Sequence, residues 1–200
     1  MTLRVAGYLV AWCGLAAPLA AQQTEELPPP GFGTLKVDDI ALLFETADLR
    51  IRVMPLDERV LRLLASDSYA SLSGIKRLKR EAIDSVGRRF GVNDPSLFMI
   101  SFFGLRDQAT FTPEELTLES RGRFFRPLGF APLSSVWGER RLERRGEVVA
   151  VALFDPGIAL FDDLTVSYGT ASTDAWSRIV RRLDLERAAV LSRAAAAGRS

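Results

Sequence analysis

Short segments in which apolar and polar residues alternate recur along this 200-residue chain and limit the folds open to it. In residues 49–53, Leu, Ile and Val alternate with two arginines, as in a strand with one buried face. The alternation returns at 116–119 and 164–168, and turn signals at Arg121-Gly122 and Asp155-Pro156-Gly157 separate such segments. Strands this short and closely spaced favour antiparallel pairing over a parallel sheet.

Four further segments extend this strand pattern. Residues 97–103 are apolar on both faces, which predicts a central strand covered on two sides. Residues 41–44 can pair with 49–53 across a short turn. Residues 124–125 begin another strand, and the β-branched run at 148–154 ends at a turn.

Two helical segments interrupt the strands. Between Ser73 and Phe90 the apolar residues recur every three or four positions, which places them on one helical face. Gly91 ends this helix. Near Thr173, a residue type that caps helices, a C-terminal helix begins whose inner face carries Trp176. The apolar positions of the first helix are Ile75, Leu78, Ala82, Val86 and Phe90.

The rhythm of strands and turns from Leu97 to Tyr168 resembles that of an immunoglobulin-like exported module. This is a resemblance of architecture, and it implies no functional residue. The sequence therefore predicts an α+β fold that is mainly β. The expected form is an antiparallel immunoglobulin-like β-sandwich with a helical insertion at about residues 56–90 and a C-terminal helix.

The N-terminus has the order of residues found in a secretory signal peptide. Arg4 precedes an apolar run at 5–17, then Pro18, and then the small residues Ala20-Ala21, after which cleavage is expected. The predicted organisation is a signal peptide at 1–21, a Pro/Gly linker at 22–33, a single globular domain at 34–192 and a frayed tail at 193–200. The expected location is the periplasm or the medium, with no membrane-spanning segment after cleavage.

Two other interpretations of this N-terminus are weaker. An uncleaved anchor would need about 20 apolar residues to span a bilayer, and Pro18 interrupts the run before that length. A lipoprotein site at Cys13 would need a small residue before the cysteine, where this chain has Trp12.

The residue inventory excludes several function classes. Histidine is absent, and the single cysteine, Cys13, lies in the predicted signal peptide. A mature domain would have no disulfide, thiol nucleophile, imidazole base or Cys/His metal site. The 26 basic and 25 acidic residues become 25 and 25 when Arg4 is removed, so the net charge is zero. This balance lacks the basic excess of nucleic-acid-binding domains. No nucleic-acid partner and no cofactor are predicted.

A basic helical face is the first candidate binding surface. It consists of Lys76, Arg77, Lys79, Arg80, Arg88 and Arg89. Such a face could bind anionic lipid, a phosphorylated sugar or an acidic partner. The favoured alternative is a solvated helix in which Arg77 pairs with Glu81 and Arg80 with Asp84.

The acidic residues supply no recognised catalytic or metal motif. Asp155, Asp162 and Asp163 surround one turn but lack the spacing of an EF-hand, so no metal is predicted. Without His and Cys, catalysis would need paired carboxylates or a Ser–Lys pair. Ser73 and Lys76 have Ser-x-x-Lys spacing, but Ser73 is equally a helix N-cap. No catalytic residue is assigned.

Trp137 is the last candidate binding residue. In a loop it could stack on a sugar or a partner side chain, although tryptophan more often folds back into the core. We therefore expect an exported, non-catalytic envelope or extracellular module that binds a protein or a surface component. The alternatives are a carboxylate-dependent hydrolase of an envelope polymer and a peripheral membrane-binding domain that uses the basic helix.

Overall fold

The fold is α+β in the computed structural model, which describes residues 27–198. The predicted signal peptide lies outside the described residues, as do residues 22–26 of the predicted linker and residues 199–200. Within the described part of the chain, no helix has the length and apolar character needed to cross a membrane.

The larger sheet has five antiparallel strands in the order β1-β2-β3-β9-β7. These are β1 (Leu42–Glu45), β2 (Leu49–Pro55), β3 (Ser96–Gly104), β9 (Glu147–Phe154) and β7 (Gly129–Pro132). Strands β1 and β2 form the hairpin expected from the sequence, with Leu42 opposite Val53. Strand β3 is the central strand of this sheet and pairs with β2 on one side and β9 on the other. Its residues are apolar on both faces, as expected for a strand that is covered on two sides.

A second sheet has four antiparallel strands in the order β11-β10-β5-β6. These are β5 (Leu116–Ser120), β6 (Arg123–Phe125), β10 (Leu164–Tyr168) and β11 (Ala171–Thr173). A separate two-stranded ladder joins β4 (Ala109–Thr110) to β8 (Arg141–Leu142). The β5–β6 turn has positive φ at both Arg121 (51°) and Gly122 (71°), the backbone of a tight primed hairpin.

One face of each sheet contributes to a shared hydrophobic core. Phe102 of β3 lies at its centre and is fully buried. The ring centroid of Phe102 lies 5.0 Å from that of Phe111 and 5.4 Å from that of Tyr168 on β10. These contacts join the two sheets through aromatic side chains.

Four α-helices complete the fold: α1 (Glu58–Leu61), α2 (Ser66–Leu78), α3 (Arg80–Phe90) and α4 (Trp176–Ala197). The helix expected between Ser73 and Phe90 is thus two helices, separated at Lys79, where φ is −98° and ψ is 7°.

Because of this break the predicted apolar face is wrong in part, although Ile75 and Val86 of that face do pack against the core. Leu78 is 76% exposed and Phe90 is 48% exposed, while Leu72 and Ile83 are buried. The two helices have different axes, so one period of 3.6 residues does not describe both. Ser73 lies in the middle of α2, where it is buried, and is therefore not the N-cap that the sequence suggested. Gly91 ends α3 as predicted, and it adopts the left-handed conformation there.

Helix α3 packs on the outer face of the five-stranded sheet. Gly129 of β7 lets this helix approach closely, since a Cβ there would lie 2.7 Å from Val86 Cγ1. Met54 and Val151 on the same outer face are buried, whereas Leu43 is 57% exposed. The helices therefore cover only part of this face.

The N-terminal segment packs between the α1 region and helix α4. Pro28, in the described part of the predicted linker, is buried, and its carbonyl accepts a hydrogen bond from Arg62 (3.2 Å). The Thr34 amide donates to Glu186 Oε1 (2.8 Å), and Arg193 Nε donates to the Phe32 carbonyl (2.8 Å). Helix α4 continues to Ala197, past the domain boundary expected at residue 192.

Candidate functional site

A cleft of about 650 Å³ lies where α1 and α2 meet the start of β3. The loop at 156–160 forms one wall, and Leu27 lies in another. Lys76 is the only residue of the predicted basic face that lines it. The charged residues of the lining are Asp57, Glu58, Arg59, Lys76, Asp94 and Arg121.

Glu58, the first residue of α1, is the most heavily bonded side chain of this cleft. Lys76 Nζ donates to its Oε1 (3.0 Å), and Tyr69 Oη donates to its Oε2 (3.3 Å). Arg62 Nε, four residues along the chain, lies 3.5 Å from Oε2. Partial burial raises the pKa of Glu58, but the hydrogen bond and charge of Lys76, with the other two donors, outweigh it and lower the pKa. Glu58 is therefore held as a carboxylate.

Asp57, the residue before Glu58, has a structural role. Its Oδ1 accepts a hydrogen bond from the Arg59 amide (2.8 Å) and so caps α1. Its Oδ2 lies 2.9 Å from Arg59 Nη2. Across the cleft, Arg121 forms an ion pair with Asp162. The three cations of the lining are therefore all paired with carboxylates.

The contacts of Glu58 argue against its use as the general acid of a hydrolase. A glycosidase needs a carboxylic acid that stays protonated near neutral pH, and this requires a raised pKa. Glu58 has the opposite shift, because it is surrounded by donors. Among the described residues, no group of three or more Asp, Glu, Cys or His side chains is arranged to hold a metal ion.

The Ser73–Lys76 pair also lacks the features of a nucleophile and its base. Ser73 is 8% exposed, so a substrate has little access to its hydroxyl, which has no hydrogen-bond partner within residues 27–198. Lys76 is bonded to Glu58. Ser-x-x-Lys spacing in this chain is a coincidence of helix α2, not an arrangement for acyl transfer.

The predicted basic face is divided by the structure. Lys76 turns towards the cleft, whereas Arg77, Arg80, Arg88 and Arg89 are exposed and Lys79 is partly exposed. Neither Arg77–Glu81 nor Arg80–Asp84 is among the ion pairs of the described chain. The helix break at Lys79 separates Arg77 from Glu81, which removes their i,i+4 relation.

Trp137 lies in the core, on a 3₁₀ helix at Ser135–Glu139, and is 5% exposed. Its ring centroid is 5.4 Å from that of Phe111 and 5.5 Å from that of Phe130. The indole is therefore not presented to solvent for stacking on a ligand. Arg140, with φ of 57°, places its guanidinium 5.6 Å from the Trp137 ring centroid, a contact that sequence reasoning missed.

A second concave surface lies on the uncovered part of the five-stranded sheet, with a cavity of about 360 Å³. Arg50 and Arg52 project from β2 beside Phe103 of β3. Arg50 Nε lies 2.7 Å from Glu45 Oε1, and Arg52 pairs with Asp38. The alternation at 49–53 already placed both arginines on one face, but nothing local indicated that the helices would leave it open.

No protein-family model matches this chain, and neither curated proteins nor solved structures gave a match. The cleft is therefore identified as the candidate site by its own residues and geometry alone.

Proposed function

We propose that this protein is an exported, non-catalytic envelope or extracellular module that binds a surface component in the cleft beside Glu58 and Lys76. The carrying observation is that four of the six charged side chains of the cleft are held in the pairs Asp57–Arg59 and Glu58–Lys76. They can serve as fixed hydrogen-bond donors and acceptors, but Glu58 is poorly suited to transfer protons.

The chemistry of the lining favours a polar, uncharged ligand. The three acidic residues Asp57, Glu58 and Asp94 balance three basic ones, so the formal charge of the lining is zero. The volume is within the range of about 300–1,000 Å³ that small-molecule sites occupy. A glycan segment of an envelope polymer fits these conditions, since its hydroxyl groups both donate and accept hydrogen bonds.

Export and the finer architecture are parts of the same proposal. The signal-like order of residues 1–21 supports export to the periplasm or medium, and sequencing of the mature N-terminus tests it. Two antiparallel sheets that share one core support an immunoglobulin-like architecture. A protein partner in place of a glycan remains the alternative within this proposal.

The binding experiment titrates the purified protein with soluble fragments of envelope glycans and follows heat release and amide chemical shifts. Lys76→Gln and Asp94→Asn should each weaken binding by about tenfold, since each removes one charge-assisted hydrogen bond. Asp184→Asn, on the exposed side of α4, is the matched control and should bind as the unmodified protein does. Equal affinity in all three variants would contradict the assignment of the cleft.

The hydrolase stays a second candidate because three carboxylates line one cleft. It predicts release of new reducing ends over many turnovers, and loss of that release in Glu58→Gln. Release by the unmodified protein would overturn the non-catalytic assignment, whereas binding without release supports it.

A further inference from the structure

We propose that the solvent side of α2 and α3 binds the surface of an anionic phospholipid bilayer, independently of the cleft. The contact would be made by the arginine surface, defined as Arg77, Arg80, Arg88 and Arg89. The first observation is that these four exposed arginines have no carboxylate partner among the described residues, whereas Arg50, Arg62 and Arg193 each have one.

The arginine surface has no such partners in the described chain. Its four residues are exposed, and no carboxylate of residues 27–198 lies within 4.0 Å of their guanidinium groups. Glu81 and Asp84 are the acidic residues on the same helix. With Lys79, five basic residues face two acidic ones, a local excess of three positive charges. Since charge in the predicted mature chain is balanced, this excess is local to α2 and α3.

Exposed apolar side chains at both ends of α3 favour a membrane over a dissolved polyanion. Leu78, which is 76% exposed, lies just before the helix, and Phe90, which is 48% exposed, is its last residue. Arg89 lies 5.8 Å from the Phe90 ring centroid. Peripheral membrane helices combine basic residues with apolar ones that enter the headgroup boundary. An acidic protein in solution would satisfy the arginines alone.

One side of α3 packs against the five-stranded sheet. Val86 packs against Gly129 of β7, and Ile83 and Gly87 are buried. The sheet therefore holds α3 in place while its opposite side stays free. Arg80 and Arg88 are separated by about 12 Å along the helix axis and by about 80° around it, so their two guanidinium groups can contact different headgroups of one bilayer. Guanidinium groups also bind phosphate oxygens in a bidentate manner.

The test measures sedimentation with phosphatidylcholine vesicles, with and without phosphatidylglycerol, at low and high salt. Binding is expected only with phosphatidylglycerol, and salt should weaken it. Each arginine should contribute about fivefold to the partition coefficient. Arg77→Glu/Arg80→Glu and Arg88→Glu/Arg89→Glu should therefore each reduce binding at least about 25-fold. Leu78→Ser/Phe90→Ser should also reduce it.

The matched control is Arg178→Glu/Arg181→Glu, which makes the same charge change on the exposed side of α4. It should keep most of the binding. An equal loss in this control, or no binding by the unmodified protein, would overturn the proposal. Binding to polyglutamate but not to vesicles would overturn it in favour of an acidic protein partner. The glycan titration is repeated with these arginine variants, and because it measures binding in the cleft alone, failure of the membrane proposal does not depend on failure of the cleft proposal.

Discussion

Gly33→Ala tests whether the N-terminal segment is an integral part of the fold and of the cleft. A Cβ at Gly33 would overlap the carbonyl group of Leu63 and lie 2.5 Å from the Leu64 carbonyl oxygen. Both leucines are fully buried, so their backbone cannot retreat into solvent. Gly33 does not have positive φ, and steric overlap is therefore the only obstacle to alanine at this position.

The expected loss of stability follows from the contacts beside this glycine. Overpacking typically costs about 1–3 kcal/mol. Displacement of the segment would also weaken two backbone hydrogen bonds, from Leu35 N to Leu63 O (3.1 Å) and from Ala65 N to Leu35 O (2.9 Å). Each is worth about 1 kcal/mol. A total of about 3–5 kcal/mol should lower the Tm by roughly 6–20 °C in a domain of this size.

Thermal unfolding monitored by circular dichroism measures this shift. Gly138→Ala is the matched control, because a Cβ there would meet no atom within 4 Å, and it should leave Tm within about 2 °C of the unmodified protein. Gly33→Ala should also weaken ligand binding in the cleft, since Leu27 belongs to its lining. Unfolding of the two variants at the same temperature would refute the packed position of this segment.

Two further predictions concern α1 and α2. The pKa of Glu58 is lowered from its ordinary value of 4.5, so its ionised form stabilises the fold above that pH and loses this effect as the pH falls through the folded-state pKa. Urea unfolding should show Glu58→Gln to be less stable at pH 7, with a difference that shrinks below about pH 4.5; a constant difference would contradict the network. Gly74→Ala in α2 should raise stability by about 0.5–1 kcal/mol, since only Arg77 Nη2, at 3.9 Å, approaches the added Cβ. A fall in Tm would show that this part of α2 is more closely packed than described.

Local patterns were enough to predict much of the β structure. The alternation at 49–53, 116–119 and 164–168 identified β2, β5 and β10, because side chains in a strand point to opposite faces in turn. Strands β4, β7, β8 and β11 have only two to four residues each, too few to show a period. Their pairing is set by the strands beside them.

The break in the helical insertion could not be predicted from the local sequence. Residues 73–90 contain no proline, and their spacing is consistent with one continuous helix, yet the chain turns at Lys79. Helix α2 contributes Lys76 to the cleft, while α3 packs on β7 and β9, so the two helices rest on different supports. The burial of Leu72 and Ile83 instead of Leu78 and Phe90 follows from that tertiary arrangement.

The sequence by itself determined the chemical inventory: no histidine, one cysteine, balanced charge and a basic segment before Gly91. Only the tertiary structure decided which of those side chains meet. Glu58 and Lys76 are 18 residues apart and lie on two different helices. Arg121, in the turn between β5 and β6 of the four-stranded sheet, lines the same cleft. Distances between remote residues depend on packing of the whole core, because that packing sets the separation and orientation of the elements that carry them. Periodicity records only which way each side chain faces within its own element.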